Sequence, residues 1–240
     1  MTTEALLASG LPVNTLIPCV KVNSVDGYNF RNTPEPHLGT KTTFASDFAH
    51  SCGTAFIGLA FRSGMADDLA AAARGFGLGA TWQQLPLKSF SGQVGVPGGL
   101  AQLAATLVGE NNVQVSPLTM AAVAAQVQSG VWREPMLVTK PDPEHSQQIR
   151  FSATTMGSLR ALMRQAVRSG AARRADVRGR PVYGQVGTTS LDGPGHHKRF
   201  ATWFVGYQGQ TAFAVLEFTR SPRVSAVQVA ANFLQAAAGR

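Results

Sequence analysis

The chain has 240 residues, a net charge of +8, 44% hydrophobic residues and only 14% charged ones. That balance excludes a disordered, collagen-like or coiled-coil protein, and the length suits one large domain or two small ones. No apolar run reaches the ~18 residues of a membrane helix. Met1 to Leu16 does not read as a secretory leader either: Glu4 stands where a basic segment belongs, and Ser9, Gly10 and Pro12 break the apolar stretch.

In chain order, Asp26-Gly27 is a turn signal between Val20-Lys21-Val22 and Tyr28-Asn29-Phe30, and predicts a small hairpin. Thr42 or Thr43 caps a short helix through Ala49. Ser51 stands at the head of the next helix, with Phe56, Leu59 and Ala60 spaced to bury one face and Gly64 at its end. Ala66 to Arg74 reads as a helix with Asp67 and Asp68 in its first turn and Gly75 after its end. Trp82 to Gly99 reads as a long surface loop. A short helix follows from Leu100 to Val108, and Ser116-Pro117 then starts a helix that runs through Val127 and stops before Gly130. Met156 to Val167 is helical, with Leu159, Met163 and Val167 on one side. The last sixty residues predict three strands, Val182 to Thr188, Phe200 to Tyr207 and Thr211 to Phe218, with Gly209-Gln210 turning the last pair. Phe200 to Tyr207 is apolar on both faces, so the sheet is expected to be covered on both sides. A helix from Pro222 to Ala237 closes the chain, and no internal repeat or domain boundary is visible.

Arginine outnumbers lysine 16 to 5, and seven arginines fall between Arg160 and Arg180. Arg160, Arg164 and Arg168 make a stripe at a spacing of four. A basic surface can serve nucleic acid, lipid or another polyanion. Without interleaved aromatics, the stripe reads better as a solvated helix face.

Single candidate sites mostly have plainer explanations. Gly75-Phe76-Gly77-Leu78-Gly79 lacks a preceding strand and the dinucleotide spacing, so it reads as a helix-ending turn. His196-His197 lacks a third ligand nearby and reads as a solvent loop. His50 has no placed carboxylate and reads as a helix-end histidine. Cys52 near a helix start could be a nucleophile, but reads better as a small buried residue. Cys19 and Cys52 are too few for a disulfide scaffold or a cysteine-built metal site, and whether they pair is left open. No metal ligand set emerges. One constellation remains: Ser51-Cys52-Gly53 at a helix start, and Gln185-Val186-Gly187-Thr188-Thr189 on a strand followed by Trp203 to Tyr207 on the next. A hydroxyl facing a Gly-Thr strand makes a polar cleft, and a strand glycine admits a close backbone approach.

These segments, in this order, resemble the transpeptidase domain of penicillin-binding proteins. Thr42-Thr43-Phe44-Ala45 through Ser51-Cys52-Gly53-Thr54-Ala55-Phe56 is similar to the segment that carries the family's SxN motif. Val115-Ser116-Pro117-Leu118-Thr119-Met120-Ala121 is similar to its SPLxMA helix start. Gly184 to Thr189 stands in the place of its KTG strand, and Ala201-Thr202-Trp203-Phe204-Val205-Gly206-Tyr207 resembles the AWFVGY strand after it. The resemblance implies one α/β domain over 1–240, of the penicillin-binding protein/β-lactamase-like fold, with an antiparallel sheet flanked by helices. It implies no cofactor. The partners it implies are a peptidoglycan stem peptide or a β-lactam, at the cell envelope outside the cytoplasmic membrane.

The family acylates the serine of an SxxK motif, with SxN in the proton network, the KTG strand against the substrate backbone, and an oxyanion hole of two backbone N–H groups. No serine here is followed three residues later by lysine. Gly53 stands for the asparagine of SxN, and Gln185 and Val186 for the lysine and threonine of KTG. In relatives the segment like Met1 to Leu7 follows directly after SxxK, so the expectation is a domain without its N-terminal part and its first strands, leaving the Thr211 to Phe218 strand as an open edge. The expected site residues are Ser51 as the retained SxN-like serine and Gln185, Gly187, Thr188 and Thr189 as substrate-binding residues. The expected activity is impaired transpeptidation. The other reading is a non-catalytic interaction module of the cell-envelope machinery.

Overall fold

The structure is a computed structural model that describes residues 1–36, 38–62, 64–82, 88–137, 148–192, 198–221 and 226–238. A helical half precedes a three-stranded sheet. After α1 (Thr2–Ala8), the hairpin of β1 (Val22–Val25) and β2 (Tyr28–Arg31) turns on Asp26 and Gly27, both at positive φ. Then come α2 (Phe44–Ala49), α3 (Gly53–Ile57), α4 (Met65–Gly75), β3 (Gln93–Val94), α5 (Leu100–Leu107), β4 (Val113–Gln114), α6 (Pro117–Ser129), β5 (Val131–Trp132), β6 (Ile149–Arg150) and α7 (Ala153–Ser169). A 3₁₀ turn at Arg173–Ala175 leads into β7 (Val182–Asp192), β8 (Lys198–Gln208) and β9 (Thr211–Thr219), and α8 (Ala226–Ala238) closes the fold.

The cap signals act as the sequence requires. The Ser46 N–H donates to the Thr43 hydroxyl at 3.3 Å, which fixes Thr43 rather than Thr42 as the start of α2. The Thr119 N–H donates to Ser116 Oγ at 3.1 Å with Pro117 in the first turn of α6. Helix boundaries differ from the sequence reading: α3 ends at Ile57, short of Leu59 and Ala60, and α7 starts at Ala153 rather than Met156. Ser51 does not head α3: it takes φ +56, and Cys52 is the capping residue. Gly64 does not end a helix but precedes α4 in the left-handed region. The Trp82 to Gly99 stretch is not all loop either, since β3 lies within it and pairs with β4. His196, His197 and the Pro222 to Ser225 part of the closing helix lie outside the described residues.

The sheet is antiparallel in the order β7-β8-β9, with Val186 opposite Phe204 and Phe204 opposite Val215. Alternation sends this row to one face, where Val182, Val186, Phe204 and Phe213 pack with Val227, Ala230 and Leu234 of α8. The other face carries Tyr207 into the larger core of the helical half, against which Tyr183 and Ala212 pack. Both faces are thus covered, as an apolar central strand demands. Among the described residues β9 has no strand partner beyond β8. The same residues include no helix long and apolar enough to cross a membrane.

The arginine stripe is not simply a solvated face. Arg160 Nε donates to the Val127 carbonyl at 2.7 Å, pinning α7 to the end of α6. Arg164 donates to Asp176 at 2.9 Å and to the Val182 carbonyl at 3.0 Å, tying α7 to β7. Two of its three members are therefore engaged within the fold.

Candidate active-site cleft

The site is built where the C-terminus of α2 meets the free edge of β7. Ala171 N–H donates to the Ala49 carbonyl at 2.9 Å, and the Gln185 side-chain amide donates to the Phe48 carbonyl at 2.6 Å. The first bond satisfies a carbonyl that the helix end leaves without an internal partner, and the second adds to the Phe48 carbonyl, which also accepts from the Ser51 N–H at 3.1 Å. The chain then turns through Ser51 in the left-handed region, a conformation costing a non-glycine residue about 1–2 kcal/mol. That turn carries the Ser51 hydroxyl to the strand, where it donates to the Val186 carbonyl at 3.3 Å.

Outward-facing backbone groups on an edge strand recur at every second residue. On β7, the Val186 carbonyl is taken by Ser51 and its N–H by Gln185 Oε1 at 2.9 Å. The next outward pair belongs to Thr188. A cavity of about 730 Å³ lies along this edge and is lined by Ser51, Gln185, Gly187 and Thr188, with apolar walls from Phe48, Phe56 and Met163. Four of the five residues singled out in the sequence therefore meet at one opening. Thr189 is not among the lining residues. Gln185 reaches the opening with its amide already bonded to α2 and to its own strand.

Three further features were not legible in the sequence. Cys19 and Cys52 form a disulfide across 33 residues, which removes Cys52 as a nucleophile. Asn32 supports the turn after Ser51: its Nδ2 donates to the Val20 carbonyl at 3.2 Å and to Thr54 Oγ1 at 3.0 Å, while its Oδ1 accepts from the Thr54 N–H at 3.0 Å. Asp47 is fully buried beside the disulfide, and burial lifts its pKa to about 6 against smaller opposing pulls from Thr42 and His50. Cys19, Asp47 and Cys52 each place a ligand-type atom within 4.8 Å of the others, but sulfurs joined to each other offer no thiolate to a metal. His50 ends α2, its Nδ1–H donating to the Ser46 carbonyl at 2.9 Å.

The penicillin binding protein transpeptidase domain model matches residues 1–232. A peptidoglycan D,D-transpeptidase, PbpA of Mycobacterium tuberculosis, is 31% identical over 147 residues, 58% of this chain and 29% of that protein. PbpA of Mycolicibacterium smegmatis is 27% identical over 207 residues, 78% of this chain and 41% of that protein. The chain thus spans less than half the length of these relatives. Among solved structures, an imipenem acyl-enzyme complex of penicillin-binding protein A from M. tuberculosis superposes with a TM-score of 0.81 at 24% identity, covering 98% of this chain and 57% of that one.

Proposed function

The chain belongs to the penicillin-binding protein transpeptidase family, and we propose that its cleft docks a peptidoglycan stem peptide or a β-lactam without being acylated by it. The observation that carries this reading is the Ser51–Val186 hydrogen bond, which sets a hydroxyl beside the β7 edge where Gly187 and Thr188 face the cavity. An extended peptide laid along that edge finds the outward N–H and C=O of Thr188 and a glycine that lets it approach. In this reading the Thr188 N–H donates to a carbonyl oxygen of the docked ligand, from the strand position of the family's oxyanion donor.

Acylation needs a hydroxyl activated by a neighbouring base. The 240 residues hold no serine with lysine three positions later, the SxN asparagine is Gly53, and the KTG lysine is Gln185. The Ser51 hydroxyl gives its proton to a backbone carbonyl, which cannot act as that base. The domain, residues 1–240, works at the outer side of the cytoplasmic membrane in cell-wall synthesis, and its turnover is impaired.

The experiment is intact-protein mass spectrometry after incubation with penicillin, paired with calorimetric titration of a stem peptide ending in D-Ala-D-Ala. The expected result is unmodified mass with measurable peptide binding. A stoichiometric adduct on Ser51 or any other serine would overturn the impaired reading. No peptide binding would overturn the docking reading.

A further inference from the structure

Of the seven arginines between Arg160 and Arg180, the fold itself uses two. Arg168, Arg173, Arg174, Arg178 and Arg180 are exposed, and among the described residues none of their side chains makes an ion pair or a hydrogen bond. The one acid in the same stretch, Asp176, is already held by Arg164 at 2.9 Å. Five like charges therefore stand together with no counter-charge of their own, which raises the local potential and does not stabilise the fold. None of the five lines the cavity beside β7, so the cleft does not account for them.

The stretch that carries them is fixed rather than loose. Ala172 and Ala175 are fully buried and pack with Val182, Ala226, Val227 and Ala230. The Ala175 N–H donates to the Ala172 carbonyl at 2.9 Å and the Asp176 N–H to the Arg173 carbonyl at 3.1 Å, which closes the 3₁₀ turn with Arg173 and Arg174 outward. All five cations are arginine, whose planar guanidinium suits phosphate oxygens and is more weakly hydrated than an ammonium. From Arg168 to Arg180 there is no aromatic residue, so the stretch offers no base-stacking platform. The element packed on it is α8, which carries no charged residue. Val229 and Phe233, four positions apart on α8, are 47% and 52% exposed, on the side turned away from the buried Val227, Ala230 and Leu234.

We propose that this face of the domain, the arginines of the α7–β7 connection together with α8, docks on an anionic phospholipid bilayer. The guanidiniums reach the headgroup phosphates, and Val229 and Phe233 enter the boundary between headgroups and acyl chains. The uncharged outer side of α8 has no ion to desolvate there, whereas in water it leaves apolar area exposed. In this placement α8 lies on the bilayer and does not cross it, in keeping with its length of 13 residues. The residues of this face do not line the cavity, so lipid docking and ligand docking on the β7 edge are separable.

The test is co-sedimentation of the full chain with vesicles of equal parts phosphatidylglycerol and phosphatidylcholine, against vesicles of phosphatidylcholine alone. The expected result is binding to the anionic vesicles only, weakening steeply as salt rises from about 0.05 to about 0.5 M. Arg173→Ser/Arg174→Ser/Arg178→Ser changes only exposed positions and is expected to lower that affinity about a hundredfold, at about fivefold per arginine. Phe233→Ser is expected to lower it about tenfold at every salt concentration. Equal binding to both kinds of vesicle, or an undiminished affinity in the triple variant, would overturn the proposal. A single-stranded oligonucleotide that binds as tightly as the vesicles, with Phe233→Ser changing neither, would give the patch to a soluble polyanion and overturn the lipid assignment. If the triple variant does not fold, the parent and Phe233→Ser decide: salt-independent binding by the parent, or parental binding by Phe233→Ser, would overturn the docking.

Discussion

Ser51 and Val186 lie 135 positions apart, and the hydroxyl of one donates to the carbonyl of the other at 3.3 Å. This bond joins the helical half to the sheet at the mouth of the cleft. Ser51 makes it from a left-handed backbone, so strain and hydrogen bond oppose each other at one residue. Ser51→Ala keeps the strain and loses the bond, which is expected to lower stability by about 1 kcal/mol. Ser51→Gly loses the bond but relieves the strain, and is expected to fall within about 0.5 kcal/mol of the parent. Urea unfolding midpoints order the three proteins, and a glycine variant less stable than the alanine variant would contradict this account.

Gln185 stands in the place of a family lysine, yet its amide is occupied by Phe48 and Val186. Gln185→Ala takes the partner of the Val186 N–H and one of two bonds to the Phe48 carbonyl, which keeps the Ser51 N–H, and is expected to cost about 1 kcal/mol. Gln185→Lys retains a donor for the Phe48 carbonyl and is expected to cost less. Chemical denaturation of the two variants distinguishes this structural use of Gln185 from a purely ligand-facing one, in which both would match the parent.

Asp47 makes stability depend on pH in a fixed direction. Its pKa rises from 3.8 to about 6 on folding, so the folded chain holds its proton more tightly than the unfolded one. Stability is then greatest below pH 3.8, declines as pH rises towards 6, and levels off above it. A shift of this size is worth up to about 3 kcal/mol. Asp47→Asn removes this dependence and is expected to be at least as stable as the parent at pH 7. Thermal melts at pH 4, 5, 6 and 7 supply the check, and a parent that gains stability between pH 4 and 6 through this residue would refute the assignment.

Much of the frame was legible because local chemistry decides it. Thr43 and Ser116-Pro117 cap their helices, Asp26-Gly27 and Gly209-Gln210 turn their hairpins, and the apolar Phe200 to Tyr207 run becomes a central strand covered on both faces. The ordered segments also led to the correct family. What was not legible depends on contacts across long stretches of chain. The αL turn at Ser51 exists because the chain must bring Cys52 to Cys19 and the hydroxyl to β7, and nothing in Ser-Cys-Gly encodes that. Arg160 and Arg164 sit at the spacing of a solvated stripe, but their partners lie on α6, β7 and the 3₁₀ turn. Asp47 sits on a short helix like any surface acid, and only the tertiary packing buries it.

Two glycines on β7 predict opposite outcomes. A Cβ at Gly184 would come within 2.5 Å of the Phe204 ring and 3.0 Å of the Val205 carbonyl, so Gly184→Ala is expected to destabilise the sheet by about 2 kcal/mol or more. A Cβ at Gly187 would meet only Trp203 Cβ, at an ordinary 3.7 Å, so packing does not require glycine there. Since strand glycine costs backbone entropy, Gly187→Ala is expected to leave stability unchanged or raise it by about 0.5 kcal/mol. Gly187 does line the cavity, where a methyl group would project from the sheet face beside Trp203 into space that a bound peptide's side chains would use. The expected result is a folded protein whose affinity for a D-Ala-D-Ala stem peptide drops about tenfold, the scale of 1.4 kcal/mol. Calorimetric titration of parent and variant reads it directly, and undiminished binding by a normally folded Gly187→Ala protein would move the peptide off the β7 edge.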